Sequence, residues 1–185
     1  MKNDLLASIE QQFTQINYVW ELFLQLYDSG NENIDLLNKS GSNFFELVQS
    51  LMIYDTMSAL CRLTDPASTG KSKNASISLL LEHFKGDIDD DLLKEYKVIF
   101  SEIDGHIENI RITRNKMMSH SDLEHSLKVL PVPKVTYDDI ENSISVIRKL
   151  LEKITGNSTE YTPHIPYGTD GNKLLSVLAK VHGKG

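Results

Sequence analysis

The spacing of apolar residues constrains the fold of this chain more than any other feature of its 185 residues. One stripe with a spacing of three or four positions contains Ile9, Phe13, Ile16, Trp20, Phe23 and Tyr27. A second stripe with the same spacing contains Leu92, Tyr96, Ile99, Ile103, Ile107 and Ile110. Such spacing places the apolar side chains on one face of an α-helix. The sequence lacks the alternation of apolar and polar residues that is typical of β-strands, so it predicts an all-α protein.

Helix boundaries can be read from residues that start or stop helices. Residues 44–64 are apolar on nearly every side, and Ser40-Gly-Ser42 separates them from a short helical stretch at 33–38. Pro66 ends this pattern, because proline disfavours helical backbone for the residue before it. Asp89–Asp91 and Thr136–Asp139 each have the acidic or capping residues that open helices, and a short helix is predicted at about 75–85.

These segments predict one domain, an antiparallel helical bundle of four to five main helices over residues 1–155. Residues 156–171 are rich in glycine, proline and polar residues, and a short amphipathic piece follows at 174–181. Residues 156–185 are therefore predicted to be a C-terminal tail.

Composition narrows the class of protein. The longest apolar runs, such as residues 79–81, are too short to cross a bilayer. The charged N-terminal segment lacks an apolar signal core, and a single cysteine, Cys61, fits a reducing compartment. The sequence therefore predicts a cytoplasmic protein without membrane spans. A net charge of −7 argues against non-specific coating of nucleic acid but is compatible with a small basic pocket.

Residues 111–125, RITRNKMMSHSDLEH, place an arginine and a histidine near the end of the long helix. On a helical wheel that starts at Ile103, the residues within about 40° are Ile107, Ile110, Arg114 and Met117. Arg114 therefore belongs to the apolar stripe, where its charge needs a partner. His120 lies about 100° away, so one straight helix does not bring the two side chains together. Either the helix ends or bulges before His120, or the two residues meet through a second chain.

A polar line runs down the otherwise apolar second helix. Asp55, Ser58 and Arg62 have the spacing i, i+3 and i+7 and are candidate internal partners of Arg114. Two interpretations stay open at this point. The three residues either support a functional site around Arg114 or form a buried ion-pair ladder that fixes the register of the helices.

His120, Asp122, Glu124 and His125 form an HxDxxH pattern that could suggest a metal site. On a helix, Asp122 and His125 are neighbours but His120 lies elsewhere, and no remote third ligand is identifiable. Because divalent metals need several converging ligands, the sequence predicts no metal and no other cofactor.

The string Arg114-Asn-Lys-Met-Met-Ser-His120 resembles the signature of the HEPN superfamily (higher eukaryotes and prokaryotes nucleotide-binding domain). That signature is an arginine followed after four to six residues by a histidine, often with a polar residue directly after the arginine, as Asn115 is here. The segment Leu60–Pro66, LCRLTDP, together with RNKMMSHSD, is similar to the branch of AbiU-like abortive-infection proteins. The resemblance covers about residues 44–125.

The resemblance implies a metal-independent endoribonuclease of phage defence or a toxin–antitoxin system, with its site at a homodimer interface. It assigns Arg114, Asn115 and His120 to that site, with RNA as substrate and an antitoxin as a further possible partner. The chemistry suits these residue types, because an arginine can bind a phosphate and a neutral histidine can accept a proton from a 2′-hydroxyl. The alternative is a non-catalytic helical interaction or nucleotide-binding module of HEPN type.

Overall fold

The computed structural model describes residues 2–116, 133–156, 161 and 170–183. These residues form helices α1 (Lys2–Tyr27), α2 (Asn31–Thr64), α3 (Ile77–Phe84), α4 (Asp90–Arg114), α5 (Tyr137–Thr155) and α6 (Gly171–Val181), with strands β1 (Ser68–Thr69) and β2 (Ser72–Lys73). The all-α prediction is confirmed. The described residues form six helices, slightly more than the four to five main ones predicted. The two short helices α3 and α6 account for the difference. None of these helices combines the length and apolarity needed to cross a membrane.

The predicted helix boundaries correspond closely to structural features. The backbone of α2 is non-helical at Gly41, where the Ser40-Gly-Ser42 sequence predicted a break. Asp89 caps α4, since its side chain accepts hydrogen bonds from the backbone N–H groups of Asp91 and Leu92. Thr136 and Asp139 form a reciprocal capping box at the start of α5.

The polar segment after α2 forms a small hairpin. β1 and β2 are antiparallel, with Ser68 opposite Lys73, and Gly70 in the turn has a φ of 60°. The side-chain amide of Asn74 donates hydrogen bonds to the Pro66 carbonyl at 2.7 Å and to Oγ1 of Thr69 at 2.9 Å. The sequence predicted an irregular loop here, because strands of two residues are too short to show an alternating pattern.

The chain divides into two compact units. The first unit contains residues 1–13 and 57–161, and the second contains residues 14–56 and 162–185. The division at residue 155 between bundle and tail stays a prediction.

Helices α4 and α5 form much of the core of the first unit. They run antiparallel, since Glu95 of α4 pairs with Lys153 of α5 while Glu102, further along α4, pairs with Lys149, earlier in α5. Their buried apolar residues are Leu93, Tyr96, Ile99, Ile103, Ile107, Ile110, Ile140, Ile144, Ile147, Leu150 and Leu151. Both ion pairs are largely exposed and add little stability, so burial of the apolar faces holds the two helices together.

The second unit contains an aromatic cluster on α1. The rings of Trp20 and Phe23 are stacked with centroids 4.8 Å apart, and the Tyr27 hydroxyl donates a hydrogen bond to the Phe45 carbonyl at 2.8 Å. Gly171, the first residue of α6, donates its backbone N–H to Oε1 of Gln25 at 2.9 Å. This contact places the start of α6 directly against α1.

Candidate functional site

Two arginines lie in the last turn of α4. Arg111 and Arg114 are three residues apart, so their side chains leave neighbouring positions on the same side of the helix. The side chain of Arg111 is 25% exposed and that of Arg114 is 21% exposed. Two partly buried guanidinium groups this close together repel each other, and a shared anion lowers the cost of placing them there.

Asp65 supplies that anion. It follows the last residue of α2 and precedes Pro66, which disfavours continuation of the helix at this point. Nη1 of Arg111 donates to Oδ1 of Asp65 at 3.1 Å, and Nη2 of Arg114 lies 3.8 Å from the same oxygen. One carboxylate oxygen therefore serves two arginines, with the shorter contact to Arg111.

Arg111 is also anchored to the end of α2 through Thr64. Its Nη2 donates to the Thr64 carbonyl at 3.3 Å and to Oγ1 of Thr64 at 3.1 Å. The carbonyls of the last helical turn lack intrahelical partners and carry partial negative charge, so a cation is favourable at this place. Through these contacts, Arg111 connects the last turn of α4 to the end of α2.

Arg114 is held much less firmly. The long ion pair with Asp65 is the polar contact that the structure gives its guanidinium. Its Nε is buried and has no hydrogen-bond partner among the described residues. A buried donor without an acceptor is unfavourable, typically by about 1–3 kcal/mol, and binding of an anion offers such a group new acceptors. Among the described residues, Arg114 is thus the arginine of the pair whose donors are not all paired.

The group formed by Arg111, Arg114 and Asp65 carries excess positive charge and acts on the buried thiol of Cys61. Two guanidinium groups face one carboxylate at Asp65. Burial raises the pKa of the Cys61 thiol, and the nearby charges of Arg114 and Arg111 partly oppose this effect. Because burial dominates, Cys61 stays a neutral thiol and behaves as a small hydrophobic residue.

The α-helical geometry changes immediately after Arg114. Asn115 and Lys116 continue with π-helical geometry, and the backbone N–H of Asn115 bonds to the carbonyls of Arg111 and Ile112. A π-helical turn alters the direction in which later side chains leave the helix. His120 lies outside the described residues.

The model of the family described as AbiU2, a HEPN family, matches residues 3–171. The chain belongs to the AbiU2 family. The resemblance to AbiU-like HEPN proteins that the sequence indicated is therefore confirmed, and the family is that of an abortive-infection HEPN-type module. Searches of curated proteins and of solved structures gave no match.

The residues that the sequence singled out lie in different surroundings in this AbiU2 protein. Asn115 is exposed at the end of α4, directly after the partly buried Arg114. In the polar line on α2, Asp55 and Arg62 are exposed and Ser58 is partly buried. Within the described residues, the carboxylate that pairs with Arg114 is that of Asp65.

Asp65 and Arg111 were thus missed by sequence reasoning, although each has a local signal. Arg111 precedes Arg114 by one helical turn, which puts two cations together on the buried side of α4. Asp65 stands between a helix end and a proline, a place in the chain where short polar side chains are typical of turns. Neither signal reveals that the two side chains meet, because 46 residues separate them in the sequence.

The metal interpretation concerns a different stretch of the AbiU2 chain. Across residues 2–116 and 133–156, at residue 161 and in residues 170–183, no group of three or more His, Cys, Asp or Glu side chains is arranged to hold a metal ion. His120, Asp122 and His125 lie outside these ranges.

Proposed function

We propose that this AbiU2 protein is a metal-independent endoribonuclease of a phage-defence or toxin–antitoxin system. The observation that carries the proposal is the incomplete pairing of Arg114, whose guanidinium has one long contact to a carboxylate already bound by Arg111. An arginine that begins an Arg-x5-His sequence in a HEPN family, and whose donors are only partly paired among the described residues, is suited to bind a phosphate group of RNA.

In the proposed reaction Arg114 binds the non-bridging oxygens of the scissile phosphate. A neutral His120 accepts the proton of the neighbouring 2′-hydroxyl, whose oxygen attacks phosphorus. The bond from phosphorus to the 5′-oxygen breaks, and that oxygen takes a proton from a protonated histidine. The products are a 2′,3′-cyclic phosphate and a free 5′-hydroxyl. Arg114 stabilises the charge that develops on the phosphate oxygens in the transition state.

Arg111 and Asp65 act in this proposal as positioning residues. Arg111 holds Asp65 through Nη1 and holds the end of α2 through Thr64. Asp65 in turn restrains Arg114 at 3.8 Å without occupying all of its donors. A restrained guanidinium loses less conformational entropy when a phosphate binds, which favours the bound geometry. Asn115, the next residue on α4, would orient the phosphate or His120 by hydrogen bonding.

The proposed enzyme is a homodimer that works in the cytoplasm. A twofold axis brings a second Arg114 and a second His120 to one cleft, which removes the conflict between their directions on a single helix. In a toxin–antitoxin arrangement, an antitoxin would mask this cleft until the cell is infected.

Cleavage of RNA by the purified protein in excess chelator tests the proposal. We expect the wild type to cut RNA and to leave 2′,3′-cyclic phosphate ends, and we expect His120→Ala and Arg114→Ala to lower the rate at least about 100-fold. His106→Ala, on the same helix α4, serves as the matched control and should cut like the wild type. Wild-type protein that is dimeric but leaves RNA intact, or variants that cut normally, would contradict the proposal.

Mixing the two inactive variants tests the shared site. When Arg114→Ala and His120→Ala dimers are unfolded together and refolded, mixed dimers form that carry one intact arginine and one intact histidine on different chains. A site built from both chains then regains cleavage. If the mixture stays as inactive as the separate variants, the arginine and histidine of one site come from the same chain.

A second candidate function is a non-catalytic HEPN-type interaction module. The contact that favours it is the Asp65 carboxylate shared by two arginines, since internal ion-pair networks also occur in purely structural roles. In that case Arg114→Ala changes stability alone, and no condition yields specific RNA cleavage.

A further inference from the structure

A shallow polar groove lies beside the arginine pair in the first unit. It has a volume of about 260 Å³. The residues that line it are Gln12, Arg62, Asp65, Lys73, Asn74 and Ala75. Five of these six residues are polar or charged, so the groove suits a charged or strongly hydrated ligand better than an apolar one.

Hydrogen bonds fix the walls of this groove. Asn74 directly follows β2, and its side-chain amide donates to the Pro66 carbonyl at 2.7 Å and to Oγ1 of Thr69 in β1 at 2.9 Å. These hydrogen bonds set the position of β2 next to the end of α2. Nε2 of Gln12 on α1 donates to the Ala75 carbonyl at 3.5 Å. The groove is therefore formed before any ligand binds, and the cost of organising it on binding is small.

Two cations face this groove without an anion of their own. Arg62 and Lys73 are both exposed, and the side chain of neither forms an ion pair or a hydrogen bond with another described residue. Arg62 is a donor with fork geometry that matches a phosphate, and Lys73 adds a compact point charge. The electrostatic balance of the groove therefore favours an anion.

Asp65 joins the groove to the arginine pair. Its side chain lines the groove and also pairs with Arg111 and Arg114. Arg62, Lys73, Arg111 and Arg114 are thus four cations around one carboxylate, within a chain whose net charge is −7. A local excess of positive charge on an acidic protein attracts polyanions to that place and not to the rest of the surface.

We propose that this groove binds the phosphate of a nucleotide next to the scissile phosphate, so that Arg62 and Lys73 form a second subsite for the RNA strand. This inference rests on the proposed function, because Arg114 marks where the scissile phosphate lies. The subsite contacts the backbone and not the base edges, so it adds affinity without sequence preference. A strand that passes Asp65 meets the guanidinium of Arg114 on one side and the groove on the other.

Binding of a non-cleavable oligonucleotide tests the subsite independently of catalysis. Fluorescence anisotropy of a labelled 2′-O-methyl oligonucleotide is measured against salt concentration for the full-length wild type and for the Arg62→Ala/Lys73→Ala double variant. We expect the double variant to bind at least about tenfold more weakly. We also expect the slope of log affinity against log salt to fall by about 0.7, since the groove neutralises one phosphate and each neutralised phosphate of a single strand contributes about 0.7.

The matched control removes the same charge elsewhere in the first unit. Lys94→Ala/Lys149→Ala deletes two cations that are engaged with Asp91 and Glu102. We expect this control to change affinity less than twofold. If both double variants bind the oligonucleotide equally weakly, the subsite proposal is overturned, because the loss of affinity would then come from the change in net charge alone. Binding of an acidic polypeptide in the groove, without binding of the oligonucleotide, would also overturn it.

Cleavage kinetics separate failure of the subsite from failure of the proposed function. In the double variant, KM for a long RNA should rise about tenfold with kcat unchanged, and cleavage of a dinucleotide, which has no adjacent phosphate, should not change. If the wild type does not cleave but the groove variants lose oligonucleotide binding, the nuclease proposal fails and binding of an RNA phosphate in the groove stands. If the double variant cleaves long RNA with a normal KM, the subsite fails and the nuclease proposal stands.

Discussion

Nη2 of Arg114 lies 3.8 Å from Oδ1 of Asp65, the same oxygen that Arg111 approaches to 3.1 Å. The carboxylate therefore binds Arg111 more closely, and part of the hydrogen-bonding capacity of Arg114 is unused among the described residues. This difference between two arginines one turn apart gives each a distinct role, which mutations can separate.

Replacing the shared carboxylate should destabilise the protein. Asp65→Asn keeps the size of the side chain but leaves two guanidinium groups without a counter-charge, so we expect the free energy of unfolding to fall by about 1–2 kcal/mol, given partial exposure. Urea denaturation measures the change. Asp87→Asn, which breaks the exposed pair with Lys2, is the control and should cost about 0.5 kcal/mol or less. Equal losses in the two variants would contradict the structural role of Asp65.

The two arginines should differ in their contribution to stability. Arg111→Met removes one ion pair and two hydrogen bonds to Thr64, so we expect a loss of about 2–3 kcal/mol. Arg114→Met removes one long ion pair and also removes the buried, unsatisfied Nε, so we expect a loss of about 1 kcal/mol or less. Methionine preserves the aliphatic volume in both cases. Chemical denaturation in which Arg114→Met is the more destabilised variant would refute this ordering.

Two glycine substitutions should have opposite effects. A Cβ at Gly171 would lie 3.1 Å from both Cβ of Gln25 and Cγ of Leu26, so we expect Gly171→Ala to lower stability by about 1 kcal/mol or more. A Cβ at Gly105 meets nothing within 4 Å and lies in the exposed interior of α4. Gly105→Ala should therefore raise the free energy of unfolding by about 0.5–1 kcal/mol. Thermal and urea unfolding of the two variants test this pair, and a stabilising Gly171→Ala would show that α6 is not packed closely on α1.

Cys61 should resist thiol reagents in the native state. The residue is fully buried, and burial raises the pKa of its thiol, so little reactive thiolate forms at neutral pH. We expect reaction with an aromatic disulfide reagent to follow the rate of unfolding in native buffer and to be complete within minutes in denaturant. Rapid native labelling would show that Cys61 is accessible.

The same thiol should make stability decrease at alkaline pH. The folded protein holds the proton more tightly than the unfolded chain, whose thiol has a pKa of about 8.5, so above that pH the unfolded state binds fewer protons. The free energy of unfolding therefore falls as pH rises from about 8 to 10. In Cys61→Ser this part of the slope should disappear, which denaturation curves at several pH values measure. Parallel slopes for the wild type and the variant would contradict the raised pKa.

Local sequence signals predicted the helices because their causes are local. The three-to-four spacing of apolar residues, the break around Gly41, the cap at Asp89 and the stop before Pro66 each depend on neighbours within one or two helical turns. The helical wheel also indicated that Arg114 lies toward the buried stripe, and its side chain is largely shielded. The family signature likewise lies within a few residues, and the family was confirmed over residues 3–171.

Tertiary structure decided which charges meet. Nothing in the sequence pairs Asp65 with Arg111 and Arg114 across about 46 residues, or places the Lys73 hairpin beside Arg62 to form a groove. Periodicity tells which side of a helix is buried, but the partner on that side depends on how separate elements pack. Local sequence therefore determined the helices and the arginine-containing motif. The contacts between the end of α4 and the end of α2 determined that Arg111 is firmly held, and that Arg114 has one long contact among the described residues.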